Sequence, residues 1–255
     1  METCLVKGVA LSYLTSENEK KPNQKNVVFL HGAGASKERW KDLIDLFEKE
    51  DGLFALALDL PGHGNSQGSP CDQVFLYREW VKEFVDANGM DSFYLVGHSM
   101  GAAIALDFAS KYLDRLEGLV LVGGAPSFKV SEERLEEFRS GEYKWEWARV
   151  GFAESTSDQV VEIFYQENKK EDAWARYLDY LACSRYKAEN LEQLKIPSLV
   201  ICGEEDKNTP PKLSKKLAQE IENAKLVFIK DAAHQVMIER PEILKKELED
   251  FIGVR

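Results

Sequence analysis

Ser99 stands in the run Gly97-His98-Ser99-Met100-Gly101, behind the apolar stretch Tyr94-Leu95-Val96 and ahead of the small pair Ala102-Ala103. A strand that turns into a helix within one residue forces its apex into a strained backbone conformation. It also brings the two elements so close that a side chain at either flanking glycine would collide. In return the hydroxyl is held clear of the sheet, and the positive end of the following helix points at it. That is the physical content of Gly-x-Ser-x-Gly, a nucleophile carried on a strand-to-helix turn. A serine hydroxyl attacks only when a base takes its proton, and the base works best when an acid orients it. The chain must therefore also supply an imidazole and a carboxylate.

There are four histidines. His98 adjoins Ser99, and neighbours on so sharp a turn point in different directions. His31 and His63 lie in glycine-rich loops ahead of the turn, where bracing a loop is the expected role. His234 follows the last expected strand and precedes the last helix, which puts it on the carboxyl edge of the sheet. Ser99 projects to that edge, and ligands bind there in open α/β sheets. The carboxylate must come to the same edge, and Gly203-Glu204-Glu205-Asp206 offers three competitors directly after a strand. Asp231 is closer to His234 along the chain, but its spacing suits shaping the turn. The oxyanion formed on attack needs two donors: the amide of Met100 at the helix start, and that of Ala33 in His31-Gly32-Ala33-Gly34-Ala35. Losing one such donor costs ~3 kcal/mol in the transition state. With no lysine and no Gly-x-Gly-x-x-G spacing, the Ala33 loop is not a phosphate cradle.

The surrounding pattern supplies the elements. Residues 4–14 alternate as one or two edge strands. Asn26–Leu30, Leu53–Leu58, the run ending at Gly97, Leu119–Val122, Ser198–Cys202 and Leu226–Ile229 are continuous apolar runs apart from Asn26 and Ser198 at their starts, as strands buried on both faces are. Between them fall amphipathic helices. One carries Trp40, Leu43, Ile44 and Phe47 behind a Ser36 cap. A second covers 71–87, and a third runs from Ser99 to about Tyr112. The next carries Leu213, Leu217 and Ile221, and the last, from Pro241 onward, buries Ile243, Leu244, Leu248 and Phe251. Strand and helix in alternation make an α/β fold with a mostly parallel sheet and helices on both faces. Residues 126–192 break the rhythm, with short helical patterns, no strand, and 12 of the chain's 27 aromatics. We read them as a helical cap between core segments 1–125 and 193–255, presenting part of its apolar surface to a substrate.

A net charge of −11 over 255 residues argues against a nucleic-acid partner, which needs a basic face. No apolar run approaches the ~18 residues of a membrane helix, and the N-terminal residues have no basic-then-apolar signal pattern. Cys4, Cys71, Cys183 and Cys202 are isolated, which speaks against a metal site or a disulfide framework and for a reducing cytoplasm.

Taken together, the motifs resemble the α/β-hydrolase family, in particular its small esterase and lipase-like members. The matching runs are His31-Gly32 after a strand, Asp59-Leu60-Pro61-Gly62-His63-Gly64-Asn65-Ser66, Gly97-His98-Ser99-Met100-Gly101, Gly203-x-x-Asp206-x-x-Thr209-Pro210, and His234 before Glu239-Arg240-Pro241-Glu242. The resemblance selects Asp206 among the acids and implies a Ser99–His234–Asp206 triad, an oxyanion hole from Ala33 and Met100, and no cofactor. It implies a small-molecule carboxylic ester as substrate, with a short or monoacylglycerol-like apolar part. The alternative is the same triad applied to C–C bond hydrolysis or to a lyase or lactonase step. A binding protein of this fold that has lost catalysis would lack a triad member, and none is missing. Two positions depart from the family pattern. Ala233 replaces the usual glycine before the histidine. Ala102 and Ala103 stand where menaquinone-pathway synthases of this fold carry an arginine, which weighs against the lyase alternative.

Overall fold

In the computed structural model, residues 2–17, 20–47 and 52–254 are described. Positions 1 and 255, the outer ends of the two expected core segments, lie outside them. Eight strands form one sheet: β1 (Glu2–Val6), β2 (Val9–Thr15), β3 (Lys25–Leu30), β4 (Leu53–Leu58), β5 (Phe93–His98), β6 (Leu116–Val122), β7 (Ser198–Gly203) and β8 (Ala224–Ile229). Their order is β1-β2-β4-β3-β5-β6-β7-β8. The β1–β2 and β2–β4 pairs are antiparallel and all others parallel.

Continuous apolar strands follow from burial on both faces. Along β3, Val28 and Leu30 belong to one core layer while Val27 and Phe29 belong to the other. The same alternation divides Leu95 from Val96, and Leu119 and Leu121 from Val120 and Val122. One layer is closed by α2 (Val74–Ala87), α3 (Met100–Tyr112) and the Leu217 side of α8 (Pro211–Glu220). The other is closed by α1 (Lys41–Phe47) and α10 (Pro241–Ile252).

Between β6 and β7 the chain makes four helices: α4 (Glu132–Arg139), α5 (Trp145–Val150), α6 (Asp158–Lys170) and α7 (Ala173–Arg185). The entry and exit of this excursion are tied by an antiparallel bridge between Ser127 and Lys187 and by the Ala188 amide donating to the Pro126 carbonyl. A short α9 (Val236–Glu239) precedes α10.

Three local expectations are corrected. Ser36 makes no side-chain cap, and a 3₁₀ turn over Lys37–Trp40 leads into α1. Asp59 takes over the capping, since its Oδ1 accepts the Lys37 amide at 2.7 Å and its Oδ2 the buried Lys37 ammonium at 2.6 Å. The second helix starts at Val74 rather than 71, and the Cys71 amide ahead of it donates to the Tyr77 hydroxyl. Ile243 is 43% exposed, whereas Leu244, Leu248 and Ile252 form the buried stripe of α10 at intervals of four. Among the described residues no helix is long and apolar enough to cross a membrane.

Candidate active site

The parallel strand order reverses direction between β3 and β5, and the crevice beyond their carboxyl ends is the switch point at which open α/β sheets bind ligands. The Ala33 loop leaves β3 there, and Ser99 leaves β5. Ser99 has φ 53° and ψ −114°, a strained conformation costing about 1–3 kcal/mol that the surrounding packing enforces. Its amide donates to the Val122 carbonyl at 2.9 Å, and its own carbonyl accepts the Ala102 and Ala103 amides. A Cβ on Gly97 would strike the Gly101 carbonyl, and one on Gly101 would strike the Leu30 carbonyl, so both positions require glycine. From 95 to 106 every residue except Ser99 is buried. The fold thus spends its strain on exposing one hydroxyl.

His234 sits in the loop after β8, and its Nδ1–H donates to Asp206 Oδ2 at 2.8 Å. That bond fixes the proton on Nδ1 and leaves Nε2 with a lone pair. Asp206 Oδ1 accepts the amides of Asn208 at 2.9 Å and Thr209 at 2.8 Å, and the Thr209 hydroxyl lies 2.9 Å from Oδ2. Glu204 is exposed, Glu205 accepts the Glu154 amide, and Asp231 is exposed at φ 52°. Of the four acids weighed from sequence, only Asp206 bonds to His234. The Ala233 amide donates to Glu239 Oε2, and Glu239 Oε1 accepts from Ala153 and Thr156, so one carboxylate ties the His234 loop to the helical excursion.

Met100 is the first residue of α3, where helical amides have no intrahelical acceptor. On the other side, Gly32 packs against Ser99, with a Cβ there only 3.3 Å from the Ser99 Cβ. The loop is anchored from a distance: the Gly34 amide donates at 2.7 Å to Asp179 Oδ2 on α7. The same buried carboxylate accepts from the Tyr77 hydroxyl at 2.6 Å and from His63 Nε2 at 2.8 Å. His63 Nδ1 also faces the Pro61 carbonyl, so both ring nitrogens face acceptors, an arrangement that favours the protonated ring. Burial alone would lower the His63 pKa, but Asp179 overrides it and raises it. Asp179→Ala leaves the His63 ring, the Tyr77 hydroxyl and the Gly34 amide without their buried acceptor, and should cost about 3–5 kcal/mol. Thermal denaturation should register this as a drop on the order of 10 °C.

Ser99, His234 and Ala33 line one cavity of about 610 Å³, roofed by α4–α7 and walled in part by Phe128, Trp147 and Phe164. A strained serine that lines the same cavity as an imidazole hydrogen-bonded to a carboxylate supplies the residue types that acyl transfer uses.

A family model described as "Alpha/beta hydrolase family" matches residues 27–246. The chain belongs to this family. It is 32% identical over 250 residues to the Mycoplasma pneumoniae protein named "Putative esterase/lipase 2", covering 91% of each chain. It is 23% identical over 262 residues to "Monoacylglycerol lipase abhd6-B" of Xenopus laevis, covering 92% of this chain and 77% of the other. The enol-lactonase of Burkholderia xenovorans LB400 superposes with a TM-score of 0.88 at 22% identity, covering 99% and 100% of the two chains, and shares the fold.

In this alpha/beta hydrolase the remaining histidines are structural. His31 Nδ1–H donates to the Gly32 carbonyl and Nε2 accepts the Leu60 amide, while burial, reinforced by the neighbouring His63, lowers its pKa to about 4. His98 Nε2–H donates to the His234 carbonyl at 2.9 Å, and burial holds its pKa well below the usual histidine value. Below about pH 6.5 the unfolded imidazoles take up protons that the folded ones refuse. Stability therefore falls as the pH drops from about 6.5 to about 4, with His31 alone accounting for up to about 3 kcal/mol. His63 has the opposite sign: its contribution is complete at low pH and is lost as the pH rises through its raised value. Denaturation midpoints between pH 4 and 7 should slope less steeply in His31→Asn than in wild type.

Sequence reasoning missed Asp179 and, although it quoted Thr209 in a motif, gave that hydroxyl no part beside Asp206. The signal for Asp179 was an acid on the buried stripe of α7, between Ala175 and Ala182, where a carboxylate must find a partner.

Proposed function

We propose that this alpha/beta hydrolase cleaves carboxylic esters through an acyl-enzyme on Ser99. His234 Nε2 takes the Ser99 proton as the hydroxyl attacks the ester carbonyl. The Ala33 and Met100 amides receive the oxyanion, and Asp206 holds the imidazole in the accepting tautomer and stabilises the imidazolium. His234 then hands the proton to the departing alcohol, and a water activated by the same imidazole releases the acid. Residues 126–192 act as the cap. The observation that carries this reading is the 2.8 Å bond from His234 to Asp206 beside the cavity into which Ser99 opens.

Aromatic walls support a substrate with an apolar portion, in keeping with the lipase named in the Xenopus relative. They also refine the expectation from sequence. Phe128, Trp147 and Phe164 face the cavity, whereas Phe152 packs on Phe164, Tyr165 stacks on Tyr143, and Trp174 is 55% exposed against Tyr177. The four free thiols support a reducing cytoplasm as the working compartment.

The test is a series of p-nitrophenyl esters of graded acyl length, run on wild type and on Ser99→Ala. Prompt release by the wild type alone supports the reading, and equal rates would sink it.

A further inference from the structure

The cavity walls have a charge opposite to that of the chain. With 44 acidic against 33 basic side chains overall, the cavity is lined by Arg39, Lys129, Arg134, Arg176 and Lys212 and, among the described residues, by no aspartate or glutamate. Two of the three arginines already have carboxylates: Arg39 pairs with Glu167 at 3.1 Å and Arg134 with Glu137 at 3.2 Å. Lys129 and Lys212 are exposed to solvent.

Arg176 differs. It is 3% exposed, it donates from Nη2 to the Asn168 carbonyl, and its guanidinium lies 4.6 Å from the centre of the Tyr143 ring. Among the described residues no carboxylate lies within ion-pair distance of it. Asp179, one turn along α7, is already engaged with Gly34, Tyr77 and His63. A buried guanidinium without a counter-charge is costly, and a ligand that brings the charge recovers that cost. The planar fork of arginine suits a carboxylate in particular.

Its place in the fold selects which end of the substrate it meets. The Arg176 stem packs on Gly34, whose added Cβ would sit 2.7 Å from Arg176 Cγ and 3.1 Å from Nε, one residue from Ala33. In sheet order that loop, after β3, and His234, after β8, lie on opposite sides of Ser99 after β5. The alcohol must leave on the His234 side to be protonated, so the acyl chain extends toward Arg176.

We propose that Arg176 forms an anion subsite, and that the substrate is an ester whose acyl chain carries a carboxylate. The proposal rests on the ester-hydrolase reading and specifies its substrate class.

The experiment compares mono-p-nitrophenyl adipate with p-nitrophenyl hexanoate, which have equal carbon counts and differ in a terminal carboxylate. Wild type should favour the adipate ester in kcat/KM by at least about tenfold, the scale of one charged hydrogen bond. Arg176→Met should bring that ratio near one, and Arg176→Lys should retain part of it. The ratio is independent of how much of a variant is folded. Should Arg176→Met fail to fold, adipate must inhibit wild-type hydrolysis of the hexanoate ester competitively while adipamide does not; equal inhibition by both, or by neither, overturns the proposal. A wild-type ratio near one overturns the subsite, as does a high ratio unchanged in Arg176→Met. Ser99→Ala separates the two readings. If it is inactive on both esters while the wild-type ratio is near one, the subsite alone fails. If it remains active on both, the ester-hydrolase mechanism itself fails.

Discussion

Ser99→Ala is expected to lower kcat for p-nitrophenyl butyrate by about 10⁴-fold or more, equivalent to roughly 5.5 kcal/mol of transition-state stabilisation. The substitution removes one oxygen at a half-buried position and keeps the Cβ that packs near Gly32. Alanine meets the same backbone strain at φ 53° as serine does, so folded stability should change little. What remains after the change is whatever the proposed oxyanion donors, the Ala33 and Met100 amides, do for water attack, which sets a floor above the uncatalysed rate. Stopped-flow traces of the wild type should show a burst as the acyl-enzyme fills, and the variant should show none. A fluorophosphonate should modify wild type at Ser99 and leave the variant unlabelled. Retention of rate within about tenfold in the variant would remove the nucleophile from the scheme.

What the sequence made legible follows the range of the interactions involved. The parallel strands could be read because burial on both faces demands unbroken apolar runs such as Val27–Leu30, a requirement local to each segment. The turn at Ser99 could be read because its two glycines answer to backbone contacts within the strand–turn–helix unit and to the adjacent end of β3. Ile243 was misplaced for a geometric reason: it is adjacent to the buried stripe Leu244–Leu248–Ile252, and one residue along a helix rotates a side chain by about 100°. Other features needed partners that no local pattern names. The Lys37 amide is capped by Asp59, 22 residues away, so Ser36 was left without its expected role. Asp179 reaches Gly34 across 145 residues, and the absence of an ion partner for Arg176 among the described residues is a property of the assembled cavity. The choice among Glu204, Glu205 and Asp206 belongs to the same class. Only the turn geometry, in which Asp206 accepts the amides of 208 and 209, aims its second oxygen at His234.

Asp206→Asn tests that aim, and it should reduce kcat by about 10⁴-fold while sparing the fold. The asparagine oxygen can replace Oδ1 as acceptor for the Asn208 and Thr209 amides, so the turn keeps its own hydrogen bonds. The amide nitrogen then occupies the place of Oδ2, facing His234 Nδ1 at about the former 2.8 Å and the Thr209 hydroxyl beside it. A donor now faces a donor, and the imidazole relieves the clash by moving its proton to Nε2. In the proposed mechanism that tautomer presents an N–H to Ser99 and has no lone pair with which to take the serine proton. The hydroxyl is still present and the cavity still has its shape, so substrate binding should change far less than turnover. The signature is therefore a large loss in kcat with KM and denaturation midpoint close to wild type. Partial recovery is expected at alkaline pH, where hydroxide can replace the missing base. If kcat instead stays within about tenfold of wild type, His234 does not depend on this carboxylate for its tautomer, and the acid must be assigned elsewhere.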